Sequence, residues 1–313
     1  MDPIRIPLVG PAGEPVNLRA TIDSHGVATL PPAKFDPEHP DQLTITLRLR
    51  DGTVRTVYLT EAEPGVLGVE VLGSVPAEAD AVVSAVRHVF RLDQDLSGFY
   101  MLAAADPHLS WVCAGCGRMM RCATVFEDVI KTILTTNCSW AATVKMTERI
   151  VTELGEPDLH VQIDAPYGRA FPTPDAMAAK DETFYRETIR AGYRAPHLVK
   201  LSTAVATGEL DLERLGTRPV DEMDDDALAK ELLALPGVGP YAAAHIMHML
   251  GRQSRLILDS WTRPTYARLL GVETVTDQEI VEAHTPYGAW AGLAFWMRLT
   301  RNWTVDQAAD DGV

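Results

Sequence analysis

The sequence predicts an α+β chain: an antiparallel β-sheet domain over residues 1–95, then an all-helical domain over residues 96–313 whose two helical halves flank a cleft. Two changes of pattern predict it. Up to about residue 88, short runs alternate apolar and polar residues between glycine and proline turns, the period-2 signature of half-buried strands. From about Asp80 onward, apolar residues recur every three to four positions, the helical period. With 313 residues and 46% hydrophobic composition, the chain can bury a full core.

The strand region is the more regular. Leu43 to Leu49 alternates, Asp51-Gly52 supplies a hairpin turn, and Val54 to Leu59 alternates again. Pro64-Gly65 then separates a third run, Val66 to Leu72. In the helical region Thr124 to Glu127 reads as a capping box, followed by an apolar stripe of Phe126, Val129, Ile130, Ile133 and Leu134. A second helix is expected from Trp140 to Leu154, with Gly155 as its stop. Thr173-Pro174-Asp175 opens another, because proline is tolerated in a first helical turn. Thr276 to Glu279 reads as a second capping box, leading to a last aromatic helix with Trp290, Phe295 and Trp296.

One stretch carries more chemistry than the rest. A short helix runs into Leu235-Pro-Gly-Val-Gly239, and a small-residue helix beginning near Tyr241 follows. Glycines at 237 and 239 permit a tight turn with bare backbone on its outer side. The next helix points its free amides and positive dipole end out of that turn, which makes a site for one phosphate without any basic side chain. Eighteen residues past Tyr241, an apolar run ends on a single acid, Asp259.

The net charge of −15 argues against a general nucleic-acid binder, because phosphate neutralisation needs local Lys and Arg. Distribution matters more than the sum. Residues 1–100 carry 14 acids against 8 Lys or Arg, and Asp221, Glu222, Asp224, Asp225 and Asp226 form a separate acidic cluster. Arg186, Arg190, Arg194, His197 and Lys200 form a basic stretch, and Arg252, Arg255, Arg263 and Arg268 surround Asp259. A local binding face on an acidic body is expected, with modest nonspecific affinity. Cys113, Cys116 and Cys122 begin a metal-ligand spacing, but no second CxxC or nearby His completes it, so a structural role is expected. No apolar stretch approaches membrane-span length and the N-terminus lacks a secretion signal, so a cytoplasmic location is expected.

In sequence order, Phe126, Ile133-Leu-Thr-Thr-Asn-Cys-Ser139, Gly192-Tyr-Arg-Ala-Pro196, Leu235-Pro-Gly-Val-Gly239, Leu258-Asp259 and Pro286-Tyr-Gly-Ala-Trp290 together resemble the HhH-GPD superfamily of DNA glycosylases. The likeness covers about two-thirds of the chain strongly, and points to the 8-oxoguanine and alkylpurine branches. It implies that Asp259 is the catalytic aspartate, stabilising positive charge on the sugar and orienting the attacking water. A helix N-cap is the bland alternative for the same residue, and both roles can hold at once. Tyr241 stands where bifunctional members carry a lysine that forms a Schiff base, so a monofunctional enzyme leaving an abasic site is expected.

The resemblance also implies that Asn137 and Tyr193 fill the gap left by an extruded base and that Arg194 touches its orphaned partner. Ala142 replaces a second arginine used on that partner. DNA would lie over Leu235, Gly237, Val238 and Gly239, whose backbone carbonyls could also hold a metal ion; no cofactor or side-chain metal site is required. In the base pocket, Gly292 replaces a glutamine that reads oxidised guanine, Trp296 a stacking phenylalanine, and His245 a thiol. The implied substrate is therefore not 8-oxoguanine. It is an alkylated purine, or a bulky hypermodified base such as a glucosylated pyrimidine of phage DNA, within duplex DNA bound by a monomer. His245 could protonate the leaving base. The alternative from another class is a noncatalytic lesion- or structure-binding protein.

Overall fold

The computed structural model describes residues 3–73 and 79–310, with side chains described as far as residue 303. Met1 and Asp2, on which the reading of the N-terminus partly rests, lie outside the described residues. The fold is α+β. Strands β1 (Ile4–Pro7), β2 (Ala33–Phe35), β3 (Gln42–Arg48), β4 (Val54–Glu63) and β5 (Val66–Val71) form one antiparallel sheet in the order β1-β5-β4-β3-β2. The two expected turns set its register: Gly52 and Gly65 both adopt positive φ, and Leu43 pairs with Leu59 and Ile45 with Val57. A short helix, α1 (Leu18–Ile22), interrupts the strands, and α2 (Ala79–Val89) packs Val82, Val86 and Val89 into the core shared with the sheet.

One end of the sheet departs from the half-buried expectation. Thr46, Arg55 and Thr56 are buried alongside the core-facing residues. A two-stranded ribbon, β6 (Glu156–Pro157) with β7 (Arg169–Ala170), covers them, and buried Asp158 accepts the Thr56 amide at 2.7 Å.

Helix α3 (Ser97–Ala104) is followed by a loop carrying Cys113, Cys116 and Cys122, all unpaired. Packing is shared across the expected boundary near residue 95. Met120 and Cys122 join the sheet core, while Ala20 packs with Leu96 and Phe99. A buried ion pair fastens the crossing: Arg118 binds Glu14 at 2.7 Å and donates to the carbonyls of Arg91 and Gln94.

The main helical core is built from α4 (Val125–Thr135), α5 (Trp140–Leu154), α6 (Pro174–Ala178), α7 (Glu182–Glu187), α8 (Ala195–Ala206), α9 (Leu212–Thr217), α10 (Asp225–Leu233) and α11 (Pro240–Met249). The expected apolar stripe of α4 is buried there in full. Helices α12 (Thr262–Leu270), α13 (Asp277–His284) and α14 (Ala291–Asp310) make a second group, in which α14 also packs with α3. No helix among the described residues is long and apolar enough to cross a membrane.

Local details correct several expectations. At Thr124 only half of a capping box forms: its hydroxyl accepts the Glu127 amide at 3.1 Å, but the Glu127 carboxylate turns inward to Lys131 at 2.7 Å. Thr276 and Glu279 form the complete box. Gly155 ends α5 with ordinary extended angles, so its need for glycine is spatial; a Cβ there would collide with the Val151 and Ala170 carbonyls. Trp290 closes a 3-10 turn over Thr285–Trp290 and precedes the last helix.

Candidate active site

The site is assembled where the two helical groups meet. The turn after α10 closes with the Val238 amide donating to the Leu235 carbonyl at 3.2 Å. Leu235 and Val238 point inward and are buried in the main helical core, so they anchor the turn and leave its outer side to backbone. Gly237 takes φ +81°, and a Cβ there would press on His197 of α8 at 3.0 Å. Gly239 differs. Its φ of −101° suits any residue, and a Cβ would meet nothing within 4 Å. Gly239 is the N-cap of α11 without a side-chain cap, so the first amides of α11 open toward solvent.

Tyr241 follows in the first turn of α11 and packs against both helical groups. Its hydroxyl lies 3.4 Å from Thr135 Oγ1, and its ring meets His245 edge-on at 5.4 Å between centroids. Burial, together with the negative field of Asp259, raises the Tyr241 phenol above its ordinary value; the Thr135 hydrogen bond opposes the rise. Asp259 is half-buried. Its Oδ1 accepts the amides of Trp261 at 2.8 Å and Thr262 at 2.7 Å, while its own amide donates to Thr262 Oγ1 at 2.8 Å. One carboxylate oxygen therefore fixes the start of α12, and no hydrogen bond within the described residues engages the other.

A small recess of about 40 Å³ beside Tyr241 is lined by His25, Asp128, Lys131, Thr135, Trp140 and His245, among others. His25 Nε2 donates to the Met120 carbonyl at 2.6 Å, and burial holds its pKa down near 4. Burial, reinforced by His25 and His248, keeps His245 well below its usual value. His245 is therefore a neutral imidazole at physiological pH, able to share a hydrogen bond but not charged to act as a strong acid. Asp128 Oδ2 is buried without a hydrogen-bond partner, and burial lifts that carboxyl to about 6. Trp140, half-exposed, donates from Nε1 to Thr29 Oγ1 at 3.1 Å and lies over the bare backbone of Gly26.

The remaining expected positions divide. Asn137 sits at φ +48°, a conformation asparagine tolerates, and donates to the Tyr193 hydroxyl at 3.2 Å. Tyr193 is 49% exposed, so these two form one projecting unit. Arg194 does not project. It is buried, stacks on Tyr193 at 4.6 Å, and donates to the carbonyls of Ile133, Thr136 and Ala191, closing the end of α4. Trp296 is buried behind His245, with Nε1 donating to the Ser24 carbonyl at 2.8 Å. Gly292 leaves no space for a base: a Cβ there would collide with the Arg255 carbonyl and His248 Nε2. Its missing side chain serves helix packing.

The charges around Asp259 also rearrange. Arg252 binds Asp225 at 2.6 Å, Arg255 binds Asp226, and Arg263 binds Asp277 at 2.6 Å. The acidic run beginning at Asp221 is thus partly the counter-charge of these arginines, not a separate cluster. Among the described residues, no group of three or more His, Cys, Asp or Glu could hold a metal ion. Sequence reasoning missed His25, Trp140 and Lys131. Glu127, Asp128 and Lys131 inside an otherwise apolar helical stripe were the available signal for the last; His25 and Trp140 carried none.

No family model matches the chain. Over 207 residues it is 27% identical to DNA-3-methyladenine glycosylase 2 of Escherichia coli, a match spanning 66% of each chain. The 3-methyladenine DNA-glycosylase of Archaeoglobus fulgidus shares its fold with a TM-score of 0.72 over 96% of this chain and all of that one, at 20% identity. The 8-oxoguanine glycosylase/lyase of Clostridium acetobutylicum, solved with DNA, gives a TM-score of 0.63 over 83% of this chain and 88% of its own, at 22% identity. The chain is thus similar in sequence to a DNA-3-methyladenine glycosylase and shares the α+β fold of solved DNA glycosylases, the resemblance that the glycine turn, the helix behind it and Asp259 imply.

Proposed function

We propose that the protein is a monofunctional DNA N-glycosylase that flips a damaged or modified base from duplex DNA and leaves an abasic site. The carrying observation is Asp259, whose Oδ1 is fixed by the start of α12 while no hydrogen bond among the described residues engages its other oxygen. A fixed carboxylate there would stabilise the positive charge that develops on the deoxyribose and orient a water for attack. The open amides of Gly239 and of the first turn of α11 after Pro240 would hold the neighbouring phosphate. Tyr241 offers a phenol where a Schiff-base mechanism needs an amine. Lys131 does line the same recess, but it is engaged by Glu127 at 2.7 Å and stays protonated, its pKa raised on balance by Cys122 and Glu127 against the cost of burial.

Asn137 and Tyr193 form the element that replaces the extruded base, and the ring enters beside Tyr241, His245 and Asp259. The substrate is not 8-oxoguanine; it is an alkylated purine or a bulky hypermodified base, the latter placing the enzyme in defence against phage DNA. Purified protein incubated with duplexes carrying alkylated, oxidised or hypermodified bases tests this, with mass spectrometry of the released bases. Release of a free modified base with an intact strand is expected. No release from any duplex, or release unchanged in Asp259→Asn, overturns the reading.

A further inference from the structure

The recess beside Tyr241 has a much larger neighbour. His25 and Trp140 line both it and a chamber of about 420 Å³ between the N-terminal segment and the middle of α14. A recess of about 40 Å³ has room for little more than one water, whereas ligand sites typically run to about 300–1,000 Å³. Anything attached to a ring seated against His25 and Trp140 would have to extend into the chamber.

Its lining is chemically specific. Two indoles, Trp140 and Trp303, and the Phe35 ring give flat apolar surfaces; Asp23, Thr29 and Asn302 give hydrogen-bonding groups. Both indoles are held in place. Trp140 is tied to Thr29, and Trp303 meets Trp296 edge-on at 5.8 Å and Trp261 at 5.4 Å. Trp261, whose backbone amide Asp259 accepts, stands between Trp303 of the chamber wall and the acid's loop. Flat aromatic faces beside a carboxyl and an amide suit a group with apolar C–H faces and peripheral hydroxyls.

We propose that the chamber is a subsite for a bulky, hydroxyl-rich, glycosyl-type substituent carried by the base that enters beside Asp259. The assignment rests on the base-excision reading, which it deepens by naming the substrate class. Asp23 is the main polar contact. Burial lifts its carboxyl to about 6 against the opposing charge of Arg19, so it can accept from hydroxyls at neutral pH.

The test measures binding by the Asp259→Asn protein, so that turnover does not interfere, to duplexes with a single 5-hydroxymethylcytosine, unsubstituted or glucosylated. The glucosylated duplex should bind about tenfold more tightly, the worth of one hydrogen bond to a charged group. Adding Asp23→Asn or Asn302→Ala should remove most of that preference without weakening binding of the unsubstituted duplex. Thermal melting confirms that each variant is folded. Equal affinity for the two duplexes, or a preference that survives both substitutions, overturns the proposal. Failure of the wild-type protein to release any base while the binding preference persists would sink excision and leave the subsite standing.

Discussion

Asp259 and Thr262 cap each other: the Thr262 amide donates to Asp259 Oδ1 at 2.7 Å, and the Asp259 amide donates to Thr262 Oγ1 at 2.8 Å. The capping role for this acid therefore occupies one oxygen and leaves the other for the proposed chemical role. Asn keeps an acceptor for the two amides and removes the negative charge. Asp259→Asn should fold normally and bind DNA nearly as well, while excision falls by about 10²–10³-fold, the usual worth of a fixed electrostatic partner. Asp259→Ala should also lose about 1 kcal/mol of stability, because the cap goes with the charge. Single-turnover kinetics and urea denaturation on the two variants separate these effects.

The two glycines of the turn make opposite predictions. Gly237 has positive φ and lies against His197, so Gly237→Ala should destabilise the fold, by about 1–2 kcal/mol. Gly239 has ordinary angles and open space, so the fold itself does not require glycine there. Gly239→Ala should melt with the parent protein yet bind DNA more weakly, because a methyl group would stand between the α11 amides and a phosphate. Equal DNA affinity for parent and Gly239→Ala, measured by fluorescence anisotropy, would remove the phosphate from this turn.

Much of this architecture was legible because its signals are local. Alternation from Leu43 to Leu59 around Asp51-Gly52 determines strand, turn and register within seventeen consecutive residues. Thr276 with Glu279, and Thr173 with Pro174, mark helix starts for the same reason. What sequence spacing does not carry is which distant side chains arrive together. His25 reaches His245 across 220 positions at 5.6 Å, and the arginines around Asp259 find their acids on α10 and α13. Arg194 looks like a surface contact in sequence, yet the Ile133 and Thr136 carbonyls at the end of α4, with the Ala191 carbonyl of its own turn, draw it inward. At Gly292 a missing side chain could mark either a cavity or a close approach, and only packing distinguishes them.

The chemistry of position 241 can be tested by installing the missing amine. Borohydride treatment during turnover should trap no covalent complex with the parent protein. Tyr241→Lys would place an ammonium stem in the first turn of α11, near Asp259, and should yield a trappable adduct and some strand cleavage. A trapped parent protein would show that another amine attacks, and Lys131 would be the first to replace.

The buried pair of Glu14 and Arg118 joins the N-terminal loop to the segment that leads into the helical core. Arg118 is fully buried and also satisfies the Arg91 and Gln94 carbonyls, while Glu14 accepts the Leu96 amide at 3.1 Å. Removing one partner strands the other charge. Glu14→Ala should cost about 3–5 kcal/mol, well beyond a surface ion pair such as Arg186 with Glu182. Chemical denaturation of Glu14→Ala and Glu182→Ala gives the comparison; equal losses would show that the pair at residue 118 is no more than a surface contact.

Acid should weaken the fold, and the sign follows from which groups are held neutral. Burial depresses His25 and His248 to about 4 and His88 to about 3, and His245 lies well below 6.5. Between about pH 6.5 and 4 the unfolded chain takes up protons on these imidazoles that the folded chain refuses, so stability falls as pH drops through that window. Asp23 and Asp128 act the other way. Burial raises both from 3.8 to about 6, so over the same range the folded chain holds two protons that the unfolded chain has released. Burial lowers His284 as well, so five imidazoles stand against two carboxyls and His39, which Asp36 raises, and the unfolded state binds more protons. Urea midpoints should therefore be lower at pH 5 than at pH 7.5. Replacing fully buried His248 with Gln should flatten the dependence, whereas Asp128→Asn should steepen it, because its opposing proton is lost. A midpoint that holds steady or rises on acidification would mean that these histidines are hydrated and protonated in the fold.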